Sequence, residues 1–363
     1  MSEACPFTGL RPFTGDSKED AFAVVRKLYH GHECAMLEKY LRNPLREYEC
    51  SVGDIAYYAG KPVGFQAAIL RRLYFRQRPI LGVVGGMLAM ESGESGGGPV
   101  LLMNLLKATM GLRGGRLIYF ANTANVASMK MNRLLGVKGR GPASCEQNRF
   151  AVIHPLVFAW YLFRRKVLKR KVADSYPCQL EFADFAMERG AFRIKRLCDL
   201  DAKKFDSFWK RYLRQNEGLV VSRTPQELEW IFGERLSSGK LVLLTAEAAG
   251  EMAGYILLEP SGAGVGISRW RILDLIAVRN ASDVLAALIE GAKFFLKRHT
   301  PAMVLESFGF GATGLSVLDR KLPHVRKLTN NYFLYKAFDP EIEQAINSNN
   351  SWFFGPYDGD MCM

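Results

Sequence analysis

The pattern of apolar and polar positions changes its period several times along the chain, most informatively in its first third. Residues 80–91 are apolar, contain glycine and follow Pro79, which is typical of a largely buried strand. The small residues SGESGGGP at 92–99 interrupt this run, and a helical apolar pattern follows at 100–110. The pattern predicts a strand, a glycine loop and a helix.

Three consecutive glycines, Gly96, Gly97 and Gly98, precede Pro99 at the start of the predicted helix. Backbone N–H groups and the positive end of the helix dipole meet at such a junction. The loop can therefore hold a pyrophosphate group without a lysine.

A second strand is predicted at 116–120 and a second helix at 121–136. Asn122 or Thr123 can cap this helix at its N-terminus, and Gly136 is suited to end it. The pattern thus repeats a strand followed by a helix directly after the glycine loop.

This order of elements resembles the acyl-CoA-binding core of the GCN5-related N-acetyltransferase (GNAT) superfamily. In that family the second helix usually reads Asn, small residues, Tyr, three residues and Gly-Phe. Asn125, Ser128, Gly136 and Val137 fall on this spacing, and Asn132 stands where the family has tyrosine.

The resemblance implies an acyl-CoA, such as acetyl-CoA, as co-substrate and no metal. In the loop, Glu94 and Ser95 stand where the family usually has Arg or Gln. The residues implied to contact the donor are Leu88, Met90, Gly96, Gly97, Gly98, Val100, Asn122, Asn125 and Ser128.

Acyl transfer to an amine needs a base for the amine and stabilisation of the leaving sulfur. The resemblance implies Glu91 as the base, with a solvated strand-end glutamate as the alternative. Asp274 lies in an otherwise apolar strand, where it could bind the acceptor's ammonium or form an internal ion pair with Arg269 or Arg271. Asn132 is the third catalytic candidate, at the position of the family's general acid.

From residue 191 the order of strands and helices starts again, so we expect an α/β fold with mixed sheets in two tandem GNAT-like domains. Residues 148–154 are expected to close the first sheet and residues 325–337 the second. The predicted division is a donor-binding domain at 1–154, a basic connecting segment at 155–190, a second domain at 191–340 and an aromatic tail at 341–363.

The second copy has no glycine cluster between its corresponding strand and helix, where residues 279–282 read RNAS. We therefore expect the first domain to bind the donor and the second to shape the acceptor site. The aromatic tail is expected to dock, either with solvated aspartates or in a groove between the domains where Asp358 or Asp360 faces an amine.

Composition adds that this is an ordinary globular chain of 363 residues, 48% apolar and 23% charged. No signal peptide or membrane-spanning run is evident, so a cytoplasmic location is expected. The seven cysteines are scattered without a Cys-x-x-Cys pair, which predicts reduced thiols and no zinc site.

The net charge of +13 fits an anionic cofactor, a membrane surface or nucleic acid. Arg71, Arg72, Arg76 and Arg78 form a basic patch that either faces phosphate or lies solvated at a hairpin end. Residues 156–172 join an apolar block to a basic one. We expect a connecting helix packed between the domains, with peripheral membrane contact as the alternative.

Three functions fit these observations. The first is an N-acyltransferase that moves an acyl group from acyl-CoA to a primary amine of a small-molecule, amino-sugar or peptide acceptor. The second is an aminoacyl-tRNA-dependent transferase, because Fem-type enzymes also contain tandem GNAT-like domains; the triglycine loop favours coenzyme A over tRNA, and no other nucleic-acid partner is expected. The third is a binding protein without activity.

Overall fold

The computed structural model describes most of the chain. For residues 33, 122–124, 126–128, 308, 312–313, 315, 327, 332–333 and 352–353 it describes the backbone alone. The described residues are 8–29, 33–45, 51–91, 98–110, 118–124, 126–138, 147–169, 184–261, 268–309, 312–327, 332–348, 352–353 and 355–358.

The first of two mixed sheets has eight strands in the described part of the chain. Its main path, in spatial order, is β1 (Gly9–Pro12), β2 (Gly53–Tyr58), β3 (Lys61–Phe75), β4 (Arg78–Met90), β5 (Ile118–Ala124) and β15 (Tyr332–Ala337). The short strand β9 (Leu219–Val221) pairs with the end of β3, and β16 (Trp352–Phe353) pairs with β9.

The second sheet also has eight described strands. In spatial order these are β14 (His324–Lys327), β6 (Gln147–Val152), β13 (Val304–Phe308), β12 (Arg269–Ala277), β11 (Glu251–Ser261), β10 (Val242–Ala248), β8 (Phe192–Leu197) and β7 (Ala186–Arg189).

Helices cover the sheets. In the first half they are α1 (Lys18–Leu28), α2 (Glu33–Leu41), α3 (Gly98–Met110), α4 (Val126–Leu134) and α5 (Pro155–Lys166). In the second half they are α6 (Ala202–Arg214), α7 (Pro225–Ser237), α8 (Ser282–His299), α9 (Ala312–Lys321) and α10 (Pro340–Asn347).

The two halves follow one plan, as the sequence predicts. In each half an antiparallel hairpin leads into a strand that pairs in parallel with the strand after the next helix. Both hairpins turn on an Ala-Gly pair with positive φ, at 49° and 77° for Ala59 and Gly60 and at 50° and 82° for Ala249 and Gly250. Such two-residue turns match the twist of the strands they join.

Each half also contributes one strand to the other half's sheet. β6, expected to close the first sheet, pairs with β13 and β14 in the second sheet, and β15, expected in the second, pairs with β5 in the first. The assignments of β6 and β15 were wrong, whereas β14, also within the predicted range 325–337, lies in the second sheet as expected. The positions beside β5 and β13 are equivalent, and an apolar pattern does not encode which partner a strand takes. The domain boundaries at 154, 190 and 340 stay a prediction.

The core is shared between the halves. One continuous buried cluster extends from Phe13 and α1 through β9 and α6 to Tyr357. A second cluster packs α3 and α4 against the other face of the first sheet, through Val83, Leu106 and Tyr119. The strands β4 and β5 therefore lie between two packed layers of side chains, one on each face of the first sheet.

The connecting helix α5 differs from the expectation. Its apolar face was predicted to pack between the domains, yet of its residues only Tyr161 is buried. No helix in the described ranges is long and apolar enough to cross a membrane.

Candidate active site

The parallel strands β4 and β5 pair over a short stretch only. Their hydrogen-bonded register runs from Gly82 opposite Ile118 to Val84 opposite Phe120, and β4 then continues to Met90 without β5 as a partner. Ligands of α/β sheets bind at such carboxyl ends of parallel strands. This separation of the two strands, the β4–β5 opening, leaves the backbone of β4 without a partner from β5 after Val84.

A β-bulge interrupts β4 at this opening. Phe65 lies opposite Ala89 and Ala67 opposite Gly86, so that two residues of β4, Met87 and Leu88, oppose a single residue of β3. Met87 has a φ of 41°, in the left-handed region that non-glycine residues rarely adopt. Such strain is concentrated at functional sites.

Leu88 and Met90, both implied to contact the donor, lie at this end of β4, and both are half-buried. The carbonyl oxygen of Leu88 accepts a hydrogen bond from the Tyr29 hydroxyl at 3.0 Å. The helix pair before the sheet thus fixes the bulge.

A close approach between β4 and β5 precedes the opening. A Cβ atom at Gly85 would lie 2.4 Å from the Tyr119 hydroxyl oxygen and 2.7 Å from the ring's Cε2. Tyr119 is buried, so its ring can lie against β4 only because Gly85 has no side chain.

The N-terminus of α3 lies after the same strand. Gly98 has a φ of 62°, Pro99 follows it, and the first turn contains no acidic residue. Val100 is 68% exposed. Within the described residues 98–110, the positive dipole end of the helix therefore carries no carboxylate of its own. Gly96 and Gly97 lie outside the described residues.

Glu91, the candidate base, directly follows β4. Its backbone N–H donates to the Val63 carbonyl at 2.8 Å, and its carboxylate lies 2.8 Å from the Lys27 ammonium on α1. The side chain of Glu91 is 13% exposed. The structure therefore places this carboxylate one residue beyond β4, paired with an exposed lysine.

Helix α4 contains the remaining candidates. Asn132 is almost fully buried. Its backbone carbonyl oxygen accepts hydrogen bonds from the N–H groups of Leu135 and Val137 at 3.0 and 3.1 Å. Gly136, with a φ of 75°, follows the helix as predicted. The side chains of Asn122 and Ser128 and the whole of Asn125 lie outside the described residues.

Asp274 lies on β12, in a fully buried ionic cluster. Its two carboxylate oxygens accept hydrogen bonds from Arg223 Nε and Nη2 at 2.9 and 3.0 Å, and one also accepts from the Tyr255 hydroxyl at 2.5 Å. Arg223 Nη2 also donates to Asp358 at 3.1 Å. Such a bidentate pair satisfies most of the buried charge.

The expected partners of Asp274 were wrong. Arg271 lies 3.6 Å from Glu259 and Arg269 lies 3.9 Å from Glu306. Glu259 and Glu306 stand directly opposite Arg271 on the strands that flank β12 and are nearer than Asp274.

The C-terminal tail docks into this cluster, as predicted, but Asp358 is buried against Arg223 and is not solvated, contrary to the first alternative. The Tyr357 ring lies between two buried guanidinium groups, 4.6 Å from that of Arg71 and 4.4 Å from that of Arg223. Arg71 is fully buried and donates to the Tyr357 carbonyl at 3.3 Å, so it belongs neither to a phosphate-facing patch nor to a solvated hairpin end. Asp360 lies outside the described residues.

Burial dominates the electrostatics of the cluster. It raises the pKa of Asp358 to about 6; Arg223 opposes this shift and Asp274 adds to it. Burial also raises the pKa of Tyr255 well above its ordinary value, and the Asp274 charge acts in the same direction. Tyr255 therefore stays a neutral hydrogen-bond donor to Asp274.

In the second half β12 and β13 also part, after Arg271 and Glu306, and β12 also has a bulge, but the following helix end differs. A short 3₁₀ turn, Val278–Asn280, stands where the glycine loop precedes α3. The first turn of α8 contains Asp283, whose carboxylate accepts the Val284 N–H at 2.9 Å. This helix end is thus already occupied by a negative group. Within the described ranges, no three His, Cys, Asp or Glu side chains are grouped to hold a metal ion.

Several site features had little or no signal in the sequence. The bulge at Met87 falls inside a uniform apolar run, and Lys27 and Tyr29 look like ordinary residues at the end of α1. The only sequence signal of Arg223 is a lone arginine after three apolar or small residues, directly before α7.

The sequence matches no protein-family model and no curated protein. Solved structures are nevertheless similar over nearly the whole chain. A GCN5-related N-acetyltransferase from Anabaena variabilis is 10% identical with a TM-score of 0.56, covering 92% of this chain and 73% of that one. A probable N-acyltransferase from Enterococcus faecalis is 12% identical with a TM-score of 0.57, covering 91% and 73%.

Saccharomyces cerevisiae N-myristoyltransferase, solved with bound myristoyl-CoA, is 13% identical with a TM-score of 0.53, covering 97% of this chain and 92% of that chain. Identities this low establish likeness of fold and leave activity to be argued from the site. The chain has the GNAT fold, with two mixed sheets built on the same plan.

Proposed function

We propose that this chain is an N-acyltransferase that moves an acyl group from a coenzyme A thioester to a primary amine. The acceptor class comprises small molecules, amino sugars and peptides. The observation that carries the proposal is the parting of β4 from β5 after Val84 and Phe120, next to the acid-free N-terminus of α3. The GNAT fold of the N-acetyltransferase and N-myristoyltransferase structures supports it.

The donor fits this opening in two parts. Its pyrophosphate is anionic and suits the N–H groups at the start of α3. Its pantetheine arm carries amide groups, which can hydrogen-bond to the free edge of β4 between Gly85 and Met90 as an added strand does. A donor held at both points would have its thioester near the bulge.

The backbone at the bulge can act when the amine attacks the thioester. Negative charge develops on the thioester oxygen as the tetrahedral intermediate forms. A bulge takes a backbone N–H out of the strand ladder, and an N–H fixed at Met87 or Leu88 can stabilise that charge.

The proton on the attacking amine needs an acceptor. Glu91 lies one residue beyond β4, and we assign it as the base, directly or through a water molecule. Lys27 then positions the carboxylate at the mouth of the opening.

The leaving sulfur would be stabilised by a hydrogen bond, whereas the family pattern has a general acid at this position. Asn132 has no proton to transfer, but an amide N–H can donate a hydrogen bond to a thiolate. The thiolate would therefore leave as an anion and take its proton from solvent. Asp274 has a structural role in this assignment, because both its oxygens bind Arg223.

The experiment that tests donor binding is thermal unfolding of the full chain with acetyl-CoA, myristoyl-CoA or free coenzyme A. Val100→Glu adds a negative charge at the exposed first turn of α3, and Val325→Glu adds the same charge at an exposed position on β14. A ligand that binds the native state raises the Tm by mass action. We expect the Tm rise in the parent and in Val325→Glu and its loss in Val100→Glu.

Release of free thiol from the bound acyl-CoA in the presence of amines then tests catalysis. Thiol release that depends on an amine and falls in Glu91→Gln supports the proposal. Binding without release from any amine would leave the chain a coenzyme A-binding protein, and no Tm rise with any thioester would remove the donor assignment.

A further inference from the structure

Helix α5 exposes a stripe of large apolar side chains to solvent. Leu156 is 86% exposed, Trp160 58%, Phe163 44% and Val167 62%. Their spacing of four, three and four residues places all of them on one face of the helix. The opposite face contains Tyr161, which is buried.

The two aromatic residues of the stripe form a preassembled pair. The rings of Trp160 and Phe163 are stacked, with centroids 5.6 Å apart and an angle of 20° between their planes. Contiguous exposed apolar surface of this kind marks an interaction site, whereas isolated exposed apolar residues do not.

Positive charge surrounds the stripe. Residues 155–171 include six Lys or Arg residues, all after position 163, and no Asp or Glu. At 100° per residue, Arg164 and Lys166 flank the stripe on its two sides, and Lys169 follows the helix. Among the described residues no ion pair is formed by any of these three, whereas Arg165 Nη1 donates to the Tyr161 hydroxyl at 3.2 Å.

We propose that α5 is a membrane-docking helix that lies in the plane of an anionic lipid surface. The stripe would enter the boundary between headgroups and acyl chains, with the Trp160 and Phe163 rings at the interface. Arg164, Lys166 and Lys169 would face the lipid phosphates. The helix spans 12 residues, which is too short to cross a bilayer.

Charge decides between this occupant and a second copy of the chain. Two copies meeting on α5 would bring two uncompensated basic faces together, which is unfavourable in the apolar contact that the stripe would form. An anionic lipid surface can bury the apolar stripe and at the same time pair its phosphates with the flanking basic side chains. The net charge of +13 acts in the same direction over the whole molecule.

The test is co-sedimentation of the full chain with vesicles of phosphatidylcholine alone or mixed with phosphatidylserine. The probe variants are Trp160→Ser/Phe163→Ser and Lys166→Glu. Phe338→Ser is the matched control, because Phe338 is 44% exposed, as Phe163 is, and lies outside α5. All of these side chains are exposed, so the variants should keep the parent's thermal stability.

We expect the parent and Phe338→Ser to bind the phosphatidylserine vesicles and to remain in solution with phosphatidylcholine alone. Binding should fall about tenfold in the double variant and about fivefold or more in Lys166→Glu, since each basic residue near an anionic surface contributes about 1 kcal/mol. Trp160 fluorescence should shift to the blue only with the anionic vesicles.

Two results would overturn the proposal. Equal binding of the parent and the double variant would show attraction by overall charge without the helix. The second result is a parent protein that does not bind the vesicles but forms dimers. If light scattering shows that the double variant no longer dimerises, the stripe is the contact with a second copy of the chain.

Discussion

Asp274 shows how a single charged residue in an apolar strand can be structural. Its carboxylate and the Arg223 guanidinium are both fully buried and bind each other twice, in a cluster that also includes Asp358 and Tyr255. Removing one member of such a pair leaves the other charged and buried, which costs more than the pair itself contributes.

Asp274→Asn should therefore lower the free energy of unfolding by about 3 to 5 kcal/mol. The matched control is Asp206→Asn, which breaks the exposed pair with Lys210 and should cost less than about 1 kcal/mol. Chemical denaturation measures both changes. A variant as stable as the parent but weakened in amine binding would return Asp274 to the acceptor site.

Asp358 makes stability depend on pH. Burial raises its pKa to about 6 in the folded chain, whereas an unfolded aspartate titrates near about 4. The folded chain thus holds a proton between these values that the unfolded chain has released. Asp358 contributes stability that is full below about pH 4 and is lost as the pH rises through about 6.

The variant Asp358→Asn removes this titration. The stability of the parent relative to the variant should fall between about pH 4 and 6 and stay level at higher pH. Denaturant unfolding of both proteins at each pH measures the difference. A difference that grows as the pH rises would show that the ion pair with Arg223 outweighs burial.

At the scale of elements, local patterns predicted most helices and strands. The strand predicted at 80–91 is observed at Arg78–Met90, and the helix predicted at 100–110 is observed at Gly98–Met110. The exchange of β6 and β15 could not be predicted, because strand partners distant in sequence are chosen by the assembled sheet.

The site was predictable to a similar extent. The glycine loop, α3 and the strand end at Glu91 follow from local signals. The bulge at Met87 and the pairing of Arg223 with Asp274, 51 residues away, depend on the folded arrangement.

Gly85 tests whether the packing of β4 against β5 sets the donor opening. Gly85→Ala would put a methyl group 2.4 Å from the Tyr119 hydroxyl, and the buried ring must move. We expect a stability loss of about 1 to 3 kcal/mol and weaker binding of acetyl-CoA by calorimetry. Gly15→Ala, with no atom within 4 Å of the added methyl, should change neither. If Gly85→Ala is destabilised but binds the donor as tightly as the parent, the packing of Gly85 against Tyr119 does not shape the donor site.

At the scale of the whole molecule, the two halves share one plan but differ at the equivalent helix ends. The start of α3 has no acidic residue, whereas Asp283 occupies the start of α8, and Asp274 is buried on the strand before it. The exchanged strands and the common core join the halves into one unit. We therefore propose a single donor site for the chain, in its first half.

Backbone hydrogen exchange with and without saturating acetyl-CoA tests this assignment most directly. Exchange protection reports where a ligand covers or orders amide groups. We predict slower exchange at residues 85–90 and 98–102 and no change at the equivalent residues 272–277 and 282–286. Protection in the second set, or in neither set with any acyl-CoA, would contradict a donor site between β4 and β5.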